Sequence, residues 1–67
     1  MKIKFNNLVE EHVFKKSKFE ELEGELIGVS GGEHYSLHYV IFCGNKIYNV
    51  CDDMILEING VKIEHEE

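Results

Sequence analysis

Six residue types are missing from this 67-residue chain: proline, tryptophan, arginine, threonine, glutamine and alanine. Without arginine, no side chain can make the planar, two-pronged contact that grips a phosphate, a carboxylate or a guanine edge. The missing alanine and arginine, with frequent Lys, Glu, Asn and Ile, are typical of AT-rich coding, as in a low-GC bacterium or its phages. The composition therefore disfavours arginine-based recognition of nucleic acid before any motif is considered.

Long apolar runs are missing as well. The first residues contain no apolar run of the length, about seven or more, that a secretory signal needs, and nothing approaches the roughly 20 that span a bilayer. Two cysteines in a chain without a secretion signal are expected to be reduced thiols rather than a disulfide framework. We therefore expect a cytoplasmic protein that does not associate with membranes.

The length limits the functions that are open to the chain. A single domain of this size, residues 1–67, buries only about 60% of the surface of its unfolded chain. Such a core rarely supplies more than roughly 3–5 kcal/mol, and so short a chain cannot readily enclose a sizeable substrate pocket. We therefore predict one domain that is not an enzyme and uses neither a cofactor nor a metal.

Charge is plentiful but unevenly distributed. The formal net charge is −6, and it divides into +3 over residues 1–19 and −9 over residues 20–67. An acidic body repels nucleic acid and is attracted to basic surfaces. An alternative function, a small β-barrel module that binds nucleic acid, would depend on the lysines near the N-terminus. These are Lys2, Lys4, Lys15, Lys16 and Lys18.

The first third of the sequence favours a short strand followed by a helix. Lys2–Phe5 alternates charged and apolar residues, as a strand does. Asn7 followed by Glu10 fits a capping box, and Gly24 suits a helix end, so we predict a helix over residues 8–22. Its apolar stripe would be Leu8, Phe19 and Leu22. Against this helix, three glutamates crowd the end where the macrodipole prefers cations. They are Glu20, Glu21 and Glu23.

The remainder of the chain predicts strands joined by tight turns. Gly31-Gly32, Gly44-Asn45 and Asn59-Gly60 each separate two runs with strand character, as two-residue hairpin loops do. The third turn pairs Ile58 with Val61 and Glu57 with Lys62, which puts apolar residues on one face and an ion pair on the other. The second turn pairs the following residues: Phe42 with Ile47, Ile41 with Tyr48, Tyr39 with Val50, and His38 with Cys51.

The Gly31-Gly32 turn brings three chemically active residues side by side. It pairs Glu25 with His38, so Glu25, His38 and Cys51 would lie on three neighbouring strands. A carboxylate that orients an imidazole beside a thiol is the arrangement of a Cys–His nucleophile, so a thiol enzyme or sensor is a second alternative. An open sheet face offers no evident oxyanion hole, and ordinary packing explains the same residues.

Together these elements predict an α+β fold, with an N-terminal helix followed by a five-stranded antiparallel meander that could close into a small β-barrel. That order of elements is similar to the layout of Sm-like and related small barrels. The residue signatures of the Sm-like family are not in this sequence, so the similarity concerns architecture alone, and a fold of this kind hosts many functions.

The face opposite the predicted core is half apolar, which is unusual for a solvent-facing surface. We therefore interpret it as a partner-binding surface with an acidic rim, formed by Val29, His34, Val40, Phe42, Ile47 and Glu25. The leading hypothesis is a small acidic interaction protein, a regulator or inhibitor that binds the basic surface of another protein. A phage-encoded inhibitor that blocks a nucleic-acid-binding surface fits this description. A homodimer or larger homo-oligomer is the other way to cover the face.

Overall fold

The structure is a computed structural model that describes residues 1–32 and 35–64. The described residues form six strands and one 3-10 turn. They are β1 (Lys2–Glu10), β2 (Lys18–Gly32), β3 (Tyr35–Cys43), β4 (Lys46–Cys51), the 3-10 turn (Asp52–Met54), β5 (Ile55–Ile58) and β6 (Val61–Lys62). All six strands belong to one antiparallel sheet in the order β4-β3-β2-β1-β5-β6.

The predicted N-terminal helix is wrong, and with it the α+β class. Residues 8–22 belong to β1, to β2 and to the connection between them. Leu22, Gly24 and Leu26 alternate with glutamates, which is the period of a strand, and Gly24 lies inside β2 rather than at a helix end. Leu8 and Phe19 do meet, but as a cross-strand pair. Within the described part of the chain, no helix is long and apolar enough to cross a membrane.

The five-stranded meander and the closed barrel are corrected as well. The sheet is open and has six strands, with β4 and β6 at its edges. A meander would place β5 beside β4, whereas β5 pairs with β1 instead. Strand β1 is thereby an interior strand of the sheet, with β2 on one side and β5 on the other.

The core lies on the concave side of this sheet, which is strongly curled. Its five buried residues come from four strands and are Ile3, Phe5, Ile41, Val50 and Ile55. The Phe5 and Tyr48 ring centroids are 5.4 Å apart, although β2 and β3 separate their strands in the hydrogen-bonded order. At Gly24 the absence of a side chain permits the close approach of β3. A Cβ there would lie 2.8 Å from Ile41 Cγ2 and would also contact the Phe42 carbonyl oxygen.

Two of the three predicted hairpins are confirmed. The β3–β4 pairs are those that the Gly44-Asn45 turn predicts, including His38 with Cys51, and the β5–β6 pairs are those predicted around Asn59-Gly60. All four turn residues have positive φ, between 50° and 80°. Positive φ at both central positions is the type I′ geometry that matches the twist of a hairpin.

The β2–β3 register is wrong by four residues. Glu25 pairs with Phe42 instead of His38, and Leu26 pairs with Ile41 instead of Leu37. The strands pair as far as Gly32 with Tyr35, so Gly31 and Gly32 belong to β2 and do not form the hairpin loop. The register also shifts between Leu26 and Gly28, because Ile27 is an extra, bulged residue.

Candidate protein-binding surface

Four of the six predicted partner-binding residues lie together on the convex, outer face of the sheet. Glu25 on β2 is opposite Phe42 on β3, which in turn is opposite Ile47 on β4. Val40 is two residues along β3 from Phe42 and therefore points to the same side. We call Val40, Phe42 and Ile47 the apolar strip.

The other two predicted residues do not join this group. The Ile27 bulge reverses the faces of β2 beyond it, so Val29 pairs with Tyr39 and points to the side opposite Val40. Val29 remains 55% exposed, but not on the apolar strip. His34 lies outside the described residues.

The apolar strip is exposed in the isolated chain. Phe42 retains 44% and Ile47 retains 65% of its accessible surface, while Val40 is half-buried. Phe42 and Ile47 are cross-strand neighbours on one face of the sheet, so their exposed parts form one apolar area in contact with water. Contiguous apolar surface of this kind marks interaction sites.

A row of carboxylates borders the strip. Glu21, Glu23 and Glu25 occupy alternate positions on β2, so they share the outer face, and all three are exposed. A depression of about 230 Å³ is lined by Phe42, Glu23 and Glu25. Its remaining lining residues are Lys2, Gly24, Cys43 and Gly44. An aromatic ring beside two carboxylates is chemically suited to a lysine or arginine side chain.

The outer face also holds an alternating row of charges across four strands. Cross-strand pairing produces the order Glu23, Lys4, Glu57, Lys62. Lys4 Nζ lies 3.3 Å from Glu57 Oε2. This hydrogen bond, with the charge of Glu57 and of the nearby glutamates, raises the pKa of Lys4 above its ordinary value of 10.5. Lys4 is thus held by a carboxylate on its own sheet.

The five N-terminal lysines do not form a common surface. Lys2 is opposite Glu25 and Lys4 is bound to Glu57, so both lie among carboxylates. Lys18 Nζ is 4.0 Å from Glu10 Oε2, and Lys15 and Lys16 lie in the connection between β1 and β2. The basic track that the nucleic-acid alternative requires is therefore interrupted by negative charge.

Of the predicted Glu25–His38–Cys51 constellation, the structure places only the last two residues together. Cys51 Sγ is 3.2 Å from His38 Nε2, and the two residues are a cross-strand pair. Glu25 lies opposite Phe42, and its carboxylate accepts a hydrogen bond from the Met1 amino group at 3.1 Å. Among the described residues, no three His, Cys, Asp or Glu side chains are grouped so that they could hold a metal ion.

A second concavity was not predicted from the sequence. It is a groove of about 330 Å³ between β1 and β4, and the curling of the sheet produces it. Its lining residues are Asn6, Asn7, Leu8, Phe19, Tyr48, Asn49, Val50, Cys51 and Met54. The helix assignment for residues 8–22 concealed this groove, because it placed Leu8 and Phe19 on a helix surface. The alternation of Lys2–Phe5 ends at Asn6-Asn7 and Leu8-Val9, so no local pattern extends the strand to Glu10 and reveals the groove.

No protein family, curated protein or solved structure matches this chain. The interpretation of both sites therefore depends on their own geometry and chemistry.

Proposed function

We propose that this chain is a non-enzymatic protein-binding module that covers a basic surface of another protein. The observation that carries the proposal is the row Glu25–Phe42–Ile47, in which a carboxylate, an exposed aromatic ring and an exposed aliphatic side chain are consecutive cross-strand neighbours. Interfaces obtain most of their affinity from a few desolvated anchors of this kind and their specificity from a charged rim.

The recognised element would be a lysine or arginine beside an apolar residue. The partner's apolar residue would cover Ile47 and Phe42. The cationic group of its lysine or arginine would enter the depression lined by Glu23 and Glu25. Such surfaces on nucleic-acid-binding proteins normally receive phosphates. A module that occupies one would prevent nucleic acid from binding, which is how a small acidic regulator or inhibitor acts.

Charge favours this partner over a second copy of the chain. In a two-fold symmetric dimer that used the apolar strip, the same patch would face itself and the two rows of glutamates would approach each other. The net charge of −6 adds to that repulsion. A basic partner gains from the same carboxylates, so we assign the apolar strip to a heterologous partner.

The test uses a fluorescein-labelled peptide in which arginine and leucine alternate, with affinity measured by fluorescence anisotropy. Phe42→Ala should weaken binding by about tenfold, because a truncated anchor typically costs more than 1 kcal/mol. Since this substitution leaves the charge unchanged, the loss would not reflect a general attraction between peptide and protein.

A matched pair of double variants separates the site from bulk charge. Glu23→Gln/Glu25→Gln and Asp52→Asn/Asp53→Asn each remove two negative charges, but the aspartates lie in the 3-10 turn after β4. The glutamate variant should weaken binding by about tenfold and the aspartate variant by less than about threefold, because screening limits distant charges. Equal weakening by both variants, with no effect of Phe42→Ala, would refute the proposed site.

A further inference from the structure

We propose that Cys51 is a site of reversible modification by small disulfide molecules, with His38 as the base that activates its thiol. The His38–Cys51 pair lies on the same face as the apolar strip, two residues beyond Val40 along β3, but this inference does not depend on the function proposed above. It depends on three observations: the contact between the two side chains, the groove onto which Cys51 opens, and the different surroundings of the second cysteine.

The β3–β4 hairpin holds the thiol and the imidazole together. His38 and Cys51 form the last pair of the β3–β4 ladder, which runs without a register shift back to Cys43 and Lys46. Cys51 Sγ and His38 Nε2 are 3.2 Å apart. At that separation the thiol proton can pass directly to the ring nitrogen, because the two heavy atoms are already within hydrogen-bond reach.

The groove provides room for a reaction partner. Cys51 is half-buried and lines the groove of about 330 Å³, together with apolar side chains that include Leu8, Phe19 and Met54. The volume accommodates a small organic molecule rather than a protein segment. The apolar lining favours the uncharged part of such a molecule, and the thiol is where a covalent bond would form.

The chemistry is thiol–disulfide exchange with a low-molecular-weight disulfide. His38 accepts the thiol proton, and the Cys51 thiolate attacks one sulfur of the disulfide. A bond from Cys51 Sγ to that sulfur forms while the original disulfide bond breaks, and the second sulfur leaves as a thiolate that takes the proton from the imidazolium. Cys51 is oxidised to a mixed disulfide, and the departing half of the reagent is reduced to a thiol.

Cys43 is an internal control, because its surroundings differ from those of Cys51. Its Sγ donates a hydrogen bond to the Glu23 backbone carbonyl oxygen at 3.3 Å, so this thiol contacts a carbonyl oxygen where the Cys51 thiol contacts an imidazole. It lines the depression that Glu23 and Glu25 also line, whereas Cys51 lines the groove between β1 and β4. Both cysteines are half-buried, so burial alone would not explain a difference in their reactivity.

The experiment measures second-order rate constants with 4,4′-dithiodipyridine, a neutral disulfide, so that protein charge does not bias its approach. Cys43→Ser leaves only Cys51, and Cys51→Ser leaves only Cys43. Cys51 should react at least about tenfold faster than Cys43 at neutral pH, and His38→Gln in the Cys43→Ser background should remove that advantage. Equal rates for the two cysteines, or an unchanged rate after His38→Gln, would overturn the proposal.

A second measurement uses the natural chain and needs no substitution. After incubation with oxidised glutathione, peptide mass spectrometry should find the glutathione adduct on Cys51 before it appears on Cys43. Preferential modification of Cys43, or none at either cysteine under conditions that modify a free cysteine peptide, would contradict the proposal.

Discussion

Phe5 on β1 and Tyr48 on β4 make ring contact, with centroids 5.4 Å apart and planes inclined at 54°. Two strands lie between them in the hydrogen-bonded order of the sheet, so this contact joins parts of the sheet that no ladder joins directly. Phe5 belongs to the buried core with Ile3 and Ile41, and Tyr48 packs against that core, so the sheet must curve around this side. The position of the apolar strip follows from this curvature.

Removal of the Phe5 ring should therefore unfold the domain. Phe5 is fully buried, and truncation of a buried Phe to Ala costs about 3–5 kcal/mol, which is comparable to the whole stability expected of so small a core. Phe5→Ala should lack the cooperative thermal transition of the parent in circular dichroism. Phe14→Ala is the control, because Phe14 is 99% exposed, and it should change the stability by no more than about 0.5 kcal/mol.

Two of the glycines inside β2, Gly24 and Gly28, predict opposite outcomes for the same substitution. At Gly24 a new Cβ would lie 2.8 Å from Ile41 Cγ2 and 2.9 Å from Cys43 Cβ, so Gly24→Ala should cost about 1–3 kcal/mol or more. At Gly28 the nearest atom, Val40 Cβ, is 4.0 Å away. Gly28→Ala should therefore be neutral or should stabilise by up to about 1 kcal/mol. Urea unfolding of both variants tests the close approach of β2 and β3, and equal losses would contradict it.

Asn59 should contribute more to the stability of the fold than an ordinary turn residue does. It has a φ of 50°, its side-chain oxygen accepts a hydrogen bond from the Lys2 backbone N–H at 2.9 Å, and its own N–H donates to the Lys2 carbonyl at 2.8 Å. Asn59→Gly keeps the turn but loses the side-chain bond, at a cost of about 0.5–1.5 kcal/mol. Asn59→Ala should cost about 1–2 kcal/mol more, because alanine is strained at positive φ. Chemical denaturation that ranks the two variants in the reverse order would contradict this account.

The Lys4–Glu57 pair predicts a loss of stability at alkaline pH. The pKa of Lys4 is raised in the folded state, so the pair contributes its full stabilisation below 10.5, the unfolded value, and loses it as the pH rises through the higher folded value. The gap in urea midpoint between the parent and Lys4→Met should therefore be constant near neutral pH and should close at strongly alkaline pH. Lys46→Met, at the exposed first residue of β4, is the control. A gap that widens with rising pH would contradict a Lys4 pKa that is raised in the folded state.

The sequence predicted local hairpins well because their information is local. Positive φ at Gly44, Asn45, Asn59 and Gly60 determines both turns, and a two-residue turn determines every pair that follows it. The pairing of His38 with Cys51 and of Phe42 with Ile47 could therefore be obtained by counting.

The same counting failed for β2 and β3. Gly31 and Gly32 are strand residues here, and the Ile27 bulge adds a residue that no local pattern announces. Three of the predicted site residues keep their places because β3 and β4 were registered correctly, and Glu25 keeps its face because a four-residue shift preserves the side of the sheet. Val29 lies beyond the bulge and was therefore assigned to the wrong face.

The N-terminal helix was predicted wrongly because the same residues fit both the 3.6-residue period of a helix and the two-residue period of a strand. Leu8, Phe19 and Leu22 fit a helical stripe, whereas Leu22–Leu26 alternates strictly between apolar or glycine positions and glutamates. The glutamates that weaken a helix end are unobjectionable on a solvent-facing strand. Ile3 and Phe5, two of the fully buried residues, were not predicted as the centre of the core, because Lys2–Phe5 was predicted only as a short strand before a helix.

The most direct test of the proposed binding surface is a titration of isotopically labelled protein with the arginine–leucine peptide, followed by backbone amide chemical shifts. The largest shifts should cluster at Glu25, Phe42 and Ile47, and Lys2→Gln should strengthen binding because it removes the cation opposite Glu25. Shifts concentrated elsewhere, for example around exposed Val61 on β6, or spread evenly over all acidic residues, would contradict the proposed binding surface.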